Sequence, residues 1–372
     1  MRILFAFTGG RGHLEPLLPL AEAARAAGHA VAFAGRPSML PVVERLGFEG
    51  FAAEEAGKPP KRIPLQALDA EREARDFRDG FAGMVARQRA PRVAALCGEW
   101  RPDVLVCDET DFGALVAAER LGLPFASVVV LAAATFATPE LIGETLDGVR
   151  AEHGLPPDPE LAMLSRHLVL APLPPSYRDP ASPLPPTART YRPFAGSPTR
   201  HDGPPAVYFT LGTVFNLESG DLFERVLAGL AELKVDVVAT VGSEIDPAEL
   251  GTLPSHIRVE RFLPQAEILP RSSAVVSHGG SGSVLGALAH GLPQVLIPMG
   301  ADQPLNASRC EELGLARVLD PVAATAASVR EAAAAVLAEP GYRAAAERLQ
   351  REFAALPGPE FGVEQVAAIV DA

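Results

Sequence analysis

Residues 274–291 read AVVSHGGSGSVLGALAHG, and this stretch decides the fold. Its apolar start is typical of the end of a buried parallel strand. Apolar side chains then recur at helical spacing from Val284 until Gly291 ends the helix. Because a second apolar run, residues 294–299, follows at once, the sequence predicts a strand–helix–strand unit whose turn is rich in glycine and serine.

The turn of this unit is suited to binding an anion. Small residues let backbone N–H groups approach a ligand, and the N-terminus of the following helix has a partial positive charge. Ser281 and Ser283 add hydroxyl donors, and His278 adds a ring nitrogen. A phosphate or diphosphate fits these groups. The alternative is an ordinary turn whose histidine bonds to the backbone.

A second set of polar groups, Asp302 and Gln303, follows the next strand. In open α/β sheets, ligands bind outside the carboxyl ends of the strands. We therefore expect His278, Asp302 and Gln303 around one site. The carboxylate and the amide of that site suit sugar hydroxyls.

Three motifs in this half resemble the donor-binding signature of a known enzyme family. They are FLPQ at 262–265, HGGSGS at 278–283 and DQPLN at 302–306. Together they resemble inverting GT-B glycosyltransferases, most of all the bacterial enzymes that decorate antibiotics and other natural products, which are related to UDP-glucuronosyl and UDP-glucosyltransferases. The family usually has threonine in place of Ser283 and often tryptophan in place of Phe262, so a hydroxyl and an aromatic face are retained.

The resemblance implies an α/β protein with two facing Rossmann-like domains and an interdomain cleft. An acceptor-binding domain is expected over residues 1–200, and a nucleotide-sugar-binding domain over 203–357. Frequent prolines at about 156–205 predict an irregular linker without helices or central strands, but with short extended pieces such as residues 167–170. A tail helix within 358–372 is expected to pack back on the first domain.

The donor-binding residues that the resemblance implies are Gly12, Gly212, Thr213, Phe262, Leu263, Gln265, His278, Gly280, Ser281, Gly282, Ser283, Asp302 and Gln303. The donor is expected to be a dTDP- or UDP-linked sugar, with no further cofactor. No metal is expected either, because no cation-binding cluster accompanies the phosphate turn.

The first turn of the chain, residues 8–13, follows an apolar strand and contains His13. The turn is not a dinucleotide fingerprint, because Glu15 stands where a third glycine would be needed, and this disfavours a dehydrogenase. A neutral histidine at a strand end can accept a proton near physiological pH, or it can merely cap the turn. The run GHLEP at 12–16 resembles the N-terminal motif of the same family, which implies that His13 is the general base.

Acidic residues follow the apolar run 104–107, and the first of them is Asp108. Such acids can complement the dipole of the next helix. A carboxylate can also fix the tautomer of a histidine and stabilise its cation. In the resembled family an acid after this strand has that function. We favour Asp108 over Glu109 and Asp111 because it comes first.

The candidate acceptor-binding residues are Phe77, Phe81, Met84 and Phe136. The first three lie at helical spacing in the otherwise polar stretch 57–92, so they could instead form the core face of an amphipathic helix. Phe136 follows a predicted strand over 123–134 and is expected to face the cleft.

Composition sets broad limits on function. The 372 residues have a formal net charge of −13, which argues against nucleic acid as the main partner. Three scattered cysteines indicate no disulfide framework, and the chain starts without a signal-peptide pattern, so a cytoplasmic enzyme is expected. No stable membrane insertion is expected, and a homodimer remains open.

The sequence thus predicts a glycosyltransferase that moves a sugar or deoxysugar from a nucleotide diphosphate, dTDP or UDP, to an apolar natural product. The transfer is expected to invert the configuration at the anomeric carbon. One alternative is a cell-wall or lipid glycosyltransferase of the same fold. The other is a non-catalytic partner that binds nucleotide sugars.

Overall fold

The computed structural model describes residues 1–57, 61–194, 203–213 and 215–371. Strands in these residues form two sheets, and all the strands of each sheet are parallel. In chain order they are β1 Arg2–Ala6, β2 Ala30–Gly35, β3 Glu49–Ala52, β4 Val104–Asp108, β5 Phe125–Val128, β6 Leu168–Ala171, β7 Ala188–Thr190, β8 Ala206–Thr210, β9 Asp236–Thr240, β10 Ile257–Glu260, β11 Ala274–Ser277, β12 Gln294–Leu296 and β13 Ala316–Val318.

Helices connect most of these strands. They are α1 Arg11–Leu14, α2 Leu18–Ala26, α3 Leu40–Arg45, α4 Ala70–Arg75, α5 Ala86–Trp100, α6 Phe112–Leu121, α7 Pro139–Glu152, α8 Leu222–Ala231, α9 Gln265–Ile268, α10 Ser281–Ala289, α11 Gln303–Glu312, α12 Ala326–Ala338, α13 Pro340–Ala355 and α14 Pro359–Val370. Between α4 and α5 the chain continues as a π-helical segment, Asp76–Val85.

The order of strands positions the functional ends of both sheets. The first sheet has the order β3-β2-β1-β4-β5-β6-β7, and the second has β10-β9-β8-β11-β12-β13. In each sheet the chain runs outward from a central strand and then returns to that strand's other side. Ligands of open α/β sheets bind where this direction reverses. The reversal points lie between β1 and β4 and between β8 and β11.

The core explains why the strands read as continuous apolar runs. Both faces of the first sheet are covered, so neighbouring residues of β1 enter different clusters. Leu4 and Ala6 pack with residues of α5 and α6. Ile3 and Phe5 pack with residues of α2 and α14 on the other face. Parallel strands that are buried on both sides need this pattern.

Two expectations about the middle of the chain were wrong. The predicted strand over 123–134 ends at Val128. The proline-rich stretch contains β6 and β7, and β6 is an inner strand between β5 and β7. Strand β6 is possible because its four residues include no proline, so its N–H groups remain free for the ladder.

The last helix returns to the first sheet. Helix α14 contacts α2, β5 and β6. Val363 and Val366 of this helix are buried in the same cluster as Leu20 of α2. The apolar side chains of α14 therefore complete one covering layer of the N-terminal sheet.

Candidate active site

The reversal point of the first sheet brings His13 and Asp108 together. His13 lies in α1, just after β1, and Asp108 is the last residue of β4. Nδ1 of His13 is 3.4 Å from Oδ1 of Asp108, an ion-pair distance rather than a short hydrogen bond. The hydroxyls of Thr8 and Thr110 lie 3.4 and 3.3 Å from the same nitrogen. Asp108 is fully buried and accepts the backbone N–H groups of Thr8 and Thr110 at 2.7 and 2.8 Å.

The electrostatics of this pair favour a charged histidine. Burial lowers the pKa of His13, but the charge of Asp108 offsets this and raises the pKa above its ordinary 6.5. Burial likewise opposes ionisation of Asp108, yet the charge of His13 and the hydrogen bonds from Thr110 and Thr8 lower the pKa of Asp108. The arrangement can hold a proton on His13 while Asp108 remains a carboxylate.

The two neighbouring acids have different surroundings. Glu109 accepts the N–H groups of Val130 and Leu131, both at 2.7 Å. These bonds satisfy the backbone of the loop after β5 and explain why that strand ends early. Asp111 caps α6 and pairs with the buried Arg89. Of the three acids, only Asp108 lies at ion-pair distance from His13 in the described residues.

The reversal point of the second sheet contains His278, directly after β11. An ideal Cβ on Gly212 would lie 2.7 Å from the His278 ring, and one on Gly280 would lie 2.6 Å from it. Both glycines therefore make room for the imidazole. Burial lowers the pKa of His278 to about 4, so the ring is neutral at physiological pH. No described residue hydrogen-bonds to its buried Nδ1.

The start of α10 is linked to the loop before α11. Ser281 donates its hydroxyl to Oδ2 of Asp302 at 2.6 Å, and its N–H points to the same oxygen at 3.3 Å. Asn306 donates to that oxygen at 2.8 Å. Burial raises the pKa of Asp302 despite these bonds. Unlike Ser281, Ser283 has no hydrogen bond from its hydroxyl to any described residue. Gly282, between the two serines, is exposed.

Two predicted donor-binding residues, Gln303 and Gln265, have different surroundings. Gln303 is almost fully buried, and its Oε1 accepts the N–H of Met299 at 2.8 Å, which leaves its NH₂ group for a ligand. Gln265 begins α9, and its Oε1 would lie 2.7 Å from a Cβ on Gly286 of α10. The side chain of Gln265 therefore packs against the helix that carries Ser283.

The remaining predicted donor residues lie nearer the surface. Phe262 is 53% exposed, and the guanidinium carbon of Arg11 lies 4.9 Å from the centre of its ring. Leu263 is half-buried against an apolar cluster, and Thr213 is exposed after β8. A Cβ on Gly12 would meet nothing within 4 Å. The guanidinium of Arg11, in the first turn of the N-terminal half, thus lies over the partly exposed ring of Phe262.

The predicted acceptor residues separate into different environments. Phe81 stacks on the ring of His13, with centroids 5.7 Å apart. Phe77 stacks on Phe81 and contacts Phe136 at 5.4 Å, but it is buried in the core. Met84 is 59% exposed. Phe81 is therefore the predicted acceptor residue in contact with His13.

Sequence reasoning did not predict the hydrogen bonds that join the two halves, although Ser281 was among the predicted donor-binding residues. Ser281 accepts the N–H of Ala132 at 2.9 Å, and Asn306 accepts that of Ala133 at 3.1 Å. Asn306 lies inside the quoted DQPLN motif, so the motif itself was a usable signal. For Thr8 and Thr110, which contact His13, the sequence held no signal beyond their position next to strand ends.

The described ranges lack two kinds of structural feature. They contain no helix that is long and apolar enough to cross a membrane. They also contain no group of three or more His, Cys, Asp or Glu side chains that could hold a metal ion.

Two curated proteins are similar to this one over nearly its whole length. The 4'-demethylrebeccamycin synthase of Lentzea aerocolonigenes is 32% identical, and the match covers 99% of each chain. The L-demethylnoviosyl transferase of Streptomyces niveus is 31% identical over 99% of this chain and 98% of that protein. Residues 224–369 also match the family described as erythromycin biosynthesis protein CIII-like, C-terminal domain. This chain belongs to the bacterial natural-product glycosyltransferases.

The solved structures agree with this assignment. The spinosyn rhamnosyltransferase SpnG, in complex with thymidine diphosphate, is 27% identical to this glycosyltransferase. The match covers 99% of this chain and 100% of that chain, with a TM-score of 0.76. The predicted GT-B fold is confirmed, as is the assignment as a sugar-transferring enzyme. The relatives do not support the alternatives of a cell-wall enzyme or a non-catalytic partner.

Proposed function

We propose that this glycosyltransferase transfers a sugar from thymidine diphosphate to a hydroxyl of an apolar natural product, with inversion at the anomeric carbon. The observation that carries the proposal is the position of Asp302. It bonds to the first turn of α10, and its charge also helps to raise the pKa of His13 in the other half. A sugar held at Asp302 would thus be close to both histidine turns.

His13 is the proposed general base. Because Nδ1 faces Asp108, Nε2 is the nitrogen that can take the proton of an acceptor hydroxyl. The acceptor oxygen forms a bond to the anomeric carbon as the bond from that carbon to the diphosphate oxygen breaks. The electron pair of the broken bond goes to the diphosphate, and the acceptor proton goes to His13. Asp108 stabilises the resulting imidazolium.

The diphosphate would be held at the start of α10. The free hydroxyl of Ser283, the exposed amides near Gly282 and the positive end of the helix dipole can meet its developing charge. His278 would contribute as a neutral hydrogen-bonding group, since its pKa is lowered to about 4 by burial. Phe262 would stack on the base in place of the family's tryptophan.

Thymidine is proposed over uridine because the solved SpnG structure described above is a complex with thymidine diphosphate. Asp302 and the NH₂ group of Gln303 would bind sugar hydroxyls. An apolar acceptor fits the aromatic surface of Phe81 beside His13.

The test is the substitution His13→Ala, assayed separately for donor binding and for transfer. We expect kcat to fall about 10²- to 10⁴-fold, the range for loss of a general base. Affinity for thymidine diphosphate, measured by calorimetry, should change less than about twofold, because His13 lies outside the proposed phosphate site. Wild-type turnover by the variant, or a product with retained anomeric configuration, would contradict the mechanism.

A further inference from the structure

The stretch 61–75 of the N-terminal half lies across the C-terminal half, and we call it the bridging segment. Arg62 donates to both carboxylate oxygens of Glu249, at 2.6 and 2.9 Å. The N–H of Ile63 donates to the carbonyl of Leu217 at 2.9 Å. The segment then continues into α4. The residues that precede α4 are therefore hydrogen-bonded to the C-terminal half.

Glu73 of α4 makes the last of these contacts. Its Oε2 accepts the backbone N–H of Ala301 at 2.8 Å. A Cβ on Gly300 would lie 3.0 Å from Oε1 of the same carboxylate, so a side chain at that position would crowd Glu73. The carboxylate thus lies directly against the loop between β12 and α11.

The backbone that Glu73 contacts is in an unusual conformation. Ala301 has a φ of +52°, in the left-handed region that a residue with a Cβ disfavours. Such a conformation persists when its surroundings fix it. The N–H of Ala301 is bonded to Glu73, and Asp302 follows immediately.

The other oxygen of Glu73 is also fixed. Arg72 donates to Oε1 of Glu73 at 2.9 Å, and Arg72 in turn donates to Gln66 at 2.6 Å. The N–H of Arg72 is bound by Asp69, which caps α4. Among the described residues, each carboxylate oxygen of Glu73 therefore has one donor. The side chain is held by its own segment and holds the loop of the other domain.

We propose that Glu73 is a positioning residue for the donor sugar, an inference that rests on the proposed function of Asp302 and Gln303. By holding Ala301 in its left-handed conformation, Glu73 sets the direction in which the Asp302 carboxylate and the first turn of α11 face the cleft. Helix α4 runs without a break into the π-helical segment that carries Phe81. One continuous helical stretch therefore carries both Phe81 of the proposed acceptor site and Glu73, which contacts the loop before Asp302.

The main test compares Glu73→Ala with Glu71→Ala. Glu71 lies on the same helix, but its side chain is 91% exposed. In Glu73→Ala we expect faster amide hydrogen exchange in a peptide spanning residues 299–303, and a KM for the nucleotide sugar raised about tenfold, the size of effect for a lost hydrogen bond to a charged group. Affinity for thymidine diphosphate, which lacks the transferred sugar, should stay within about twofold. Glu71→Ala should match the wild type in all three measurements.

Glu73→Gln separates positioning from a general charge effect. It retains an oxygen that can accept the N–H of Ala301 while losing the negative charge, so we expect a donor KM within about threefold of the wild type. A tenfold increase in this variant would assign the effect to charge and overturn the proposal. Ala301→Gly in the Glu73→Ala background should recover part of the lost donor affinity, because glycine adopts positive φ without strain.

The hydrogen-exchange measurement and the kinetic measurement test the inference independently of each other. Unchanged exchange at residues 299–303 in Glu73→Ala, at native stability, would overturn the inference whatever the reaction is. Faster exchange without any change in donor KM would also overturn it. Absence of transfer from any nucleotide sugar by the wild-type enzyme would instead contradict the proposed function, while the exchange comparison would still decide whether Glu73 holds the loop.

Discussion

The two histidine turns of this glycosyltransferase have the same topological position and opposite electrostatics. His13 and His278 each follow a strand at the reversal point of a parallel sheet. His13 faces a buried carboxylate and two threonine hydroxyls, and its pKa is raised. His278 lies close to Gly212 and Gly280, with no hydrogen bond from the described residues to Nδ1, and burial lowers its pKa to about 4.

The difference shows what the fold determines and what the neighbours determine. The fold brings a strand-end side chain to each face of the cleft. The neighbours decide whether the imidazole can carry a proton. A base needs a stabilised cation, whereas a group that contacts a leaving diphosphate can serve as a neutral donor. In the proposed mechanism the two halves thus use one residue type for two functions.

The largest expected effect comes from Asp108→Asn. Without the carboxylate, the imidazolium of His13 loses its counter-ion, and we expect kcat to fall about 10²- to 10⁴-fold. A neutral His13 is required, so the wild-type rate should fall as pH drops through its raised pKa. In the variant that pKa is lower, and the acid limb of the pH–rate profile should move to lower pH. Glu22→Gln, at an exposed position on α2, is the charge control. An acid limb that stays in place would contradict the pairing.

A smaller effect is expected from His278→Gln. Loss of a hydrogen bond to a charged ligand should weaken thymidine diphosphate binding by about 10- to 100-fold. The acid limb of kcat should stay at the wild-type pH, because His13 and Asp108 are untouched. Calorimetry and pH–rate profiles of the same preparation would measure both. A shifted acid limb with unchanged nucleotide affinity would reverse the assignment of the two histidines.

The smallest effect concerns the room around His278. Gly280 has φ −62°, which any residue can adopt, so Gly280→Ala tests only the 2.6 Å clash with the imidazole. We expect a loss of about 1–3 kcal/mol in the free energy of unfolding, with weaker nucleotide binding. Gly98→Ala in α5, where a Cβ meets nothing within 4 Å, is the matched control. Urea denaturation of both variants would measure the difference, and equal stabilities would show that the ring can move aside.

The sequence was most informative where chemistry is local. Residues 274–291 predicted strand, turn and helix, and β11 and α10 are found there. The pairing of His13 with Asp108 could be anticipated because each lies at the carboxyl end of an apolar run that forms a buried strand. The bond from Ser281 to Asp302 could not, since it depends on the exact approach of two loops. The extended conformation of β6 was predicted for residues 167–170, but its inner position in the sheet was not, because proline frequency was averaged over a stretch in which the four residues of β6 have none. The contact between Glu73 and Ala301 joins residues 228 positions apart and has no local pattern.

The most direct test of the two-histidine account is an NMR titration of the imidazole signals in the free enzyme, assigned with His13→Gln and His278→Gln. The account predicts that His13 titrates above 6.5 and that His278 titrates near 4, remaining neutral through the physiological range. A His278 that titrates above 6.5, or a His13 that titrates below it, would contradict the account.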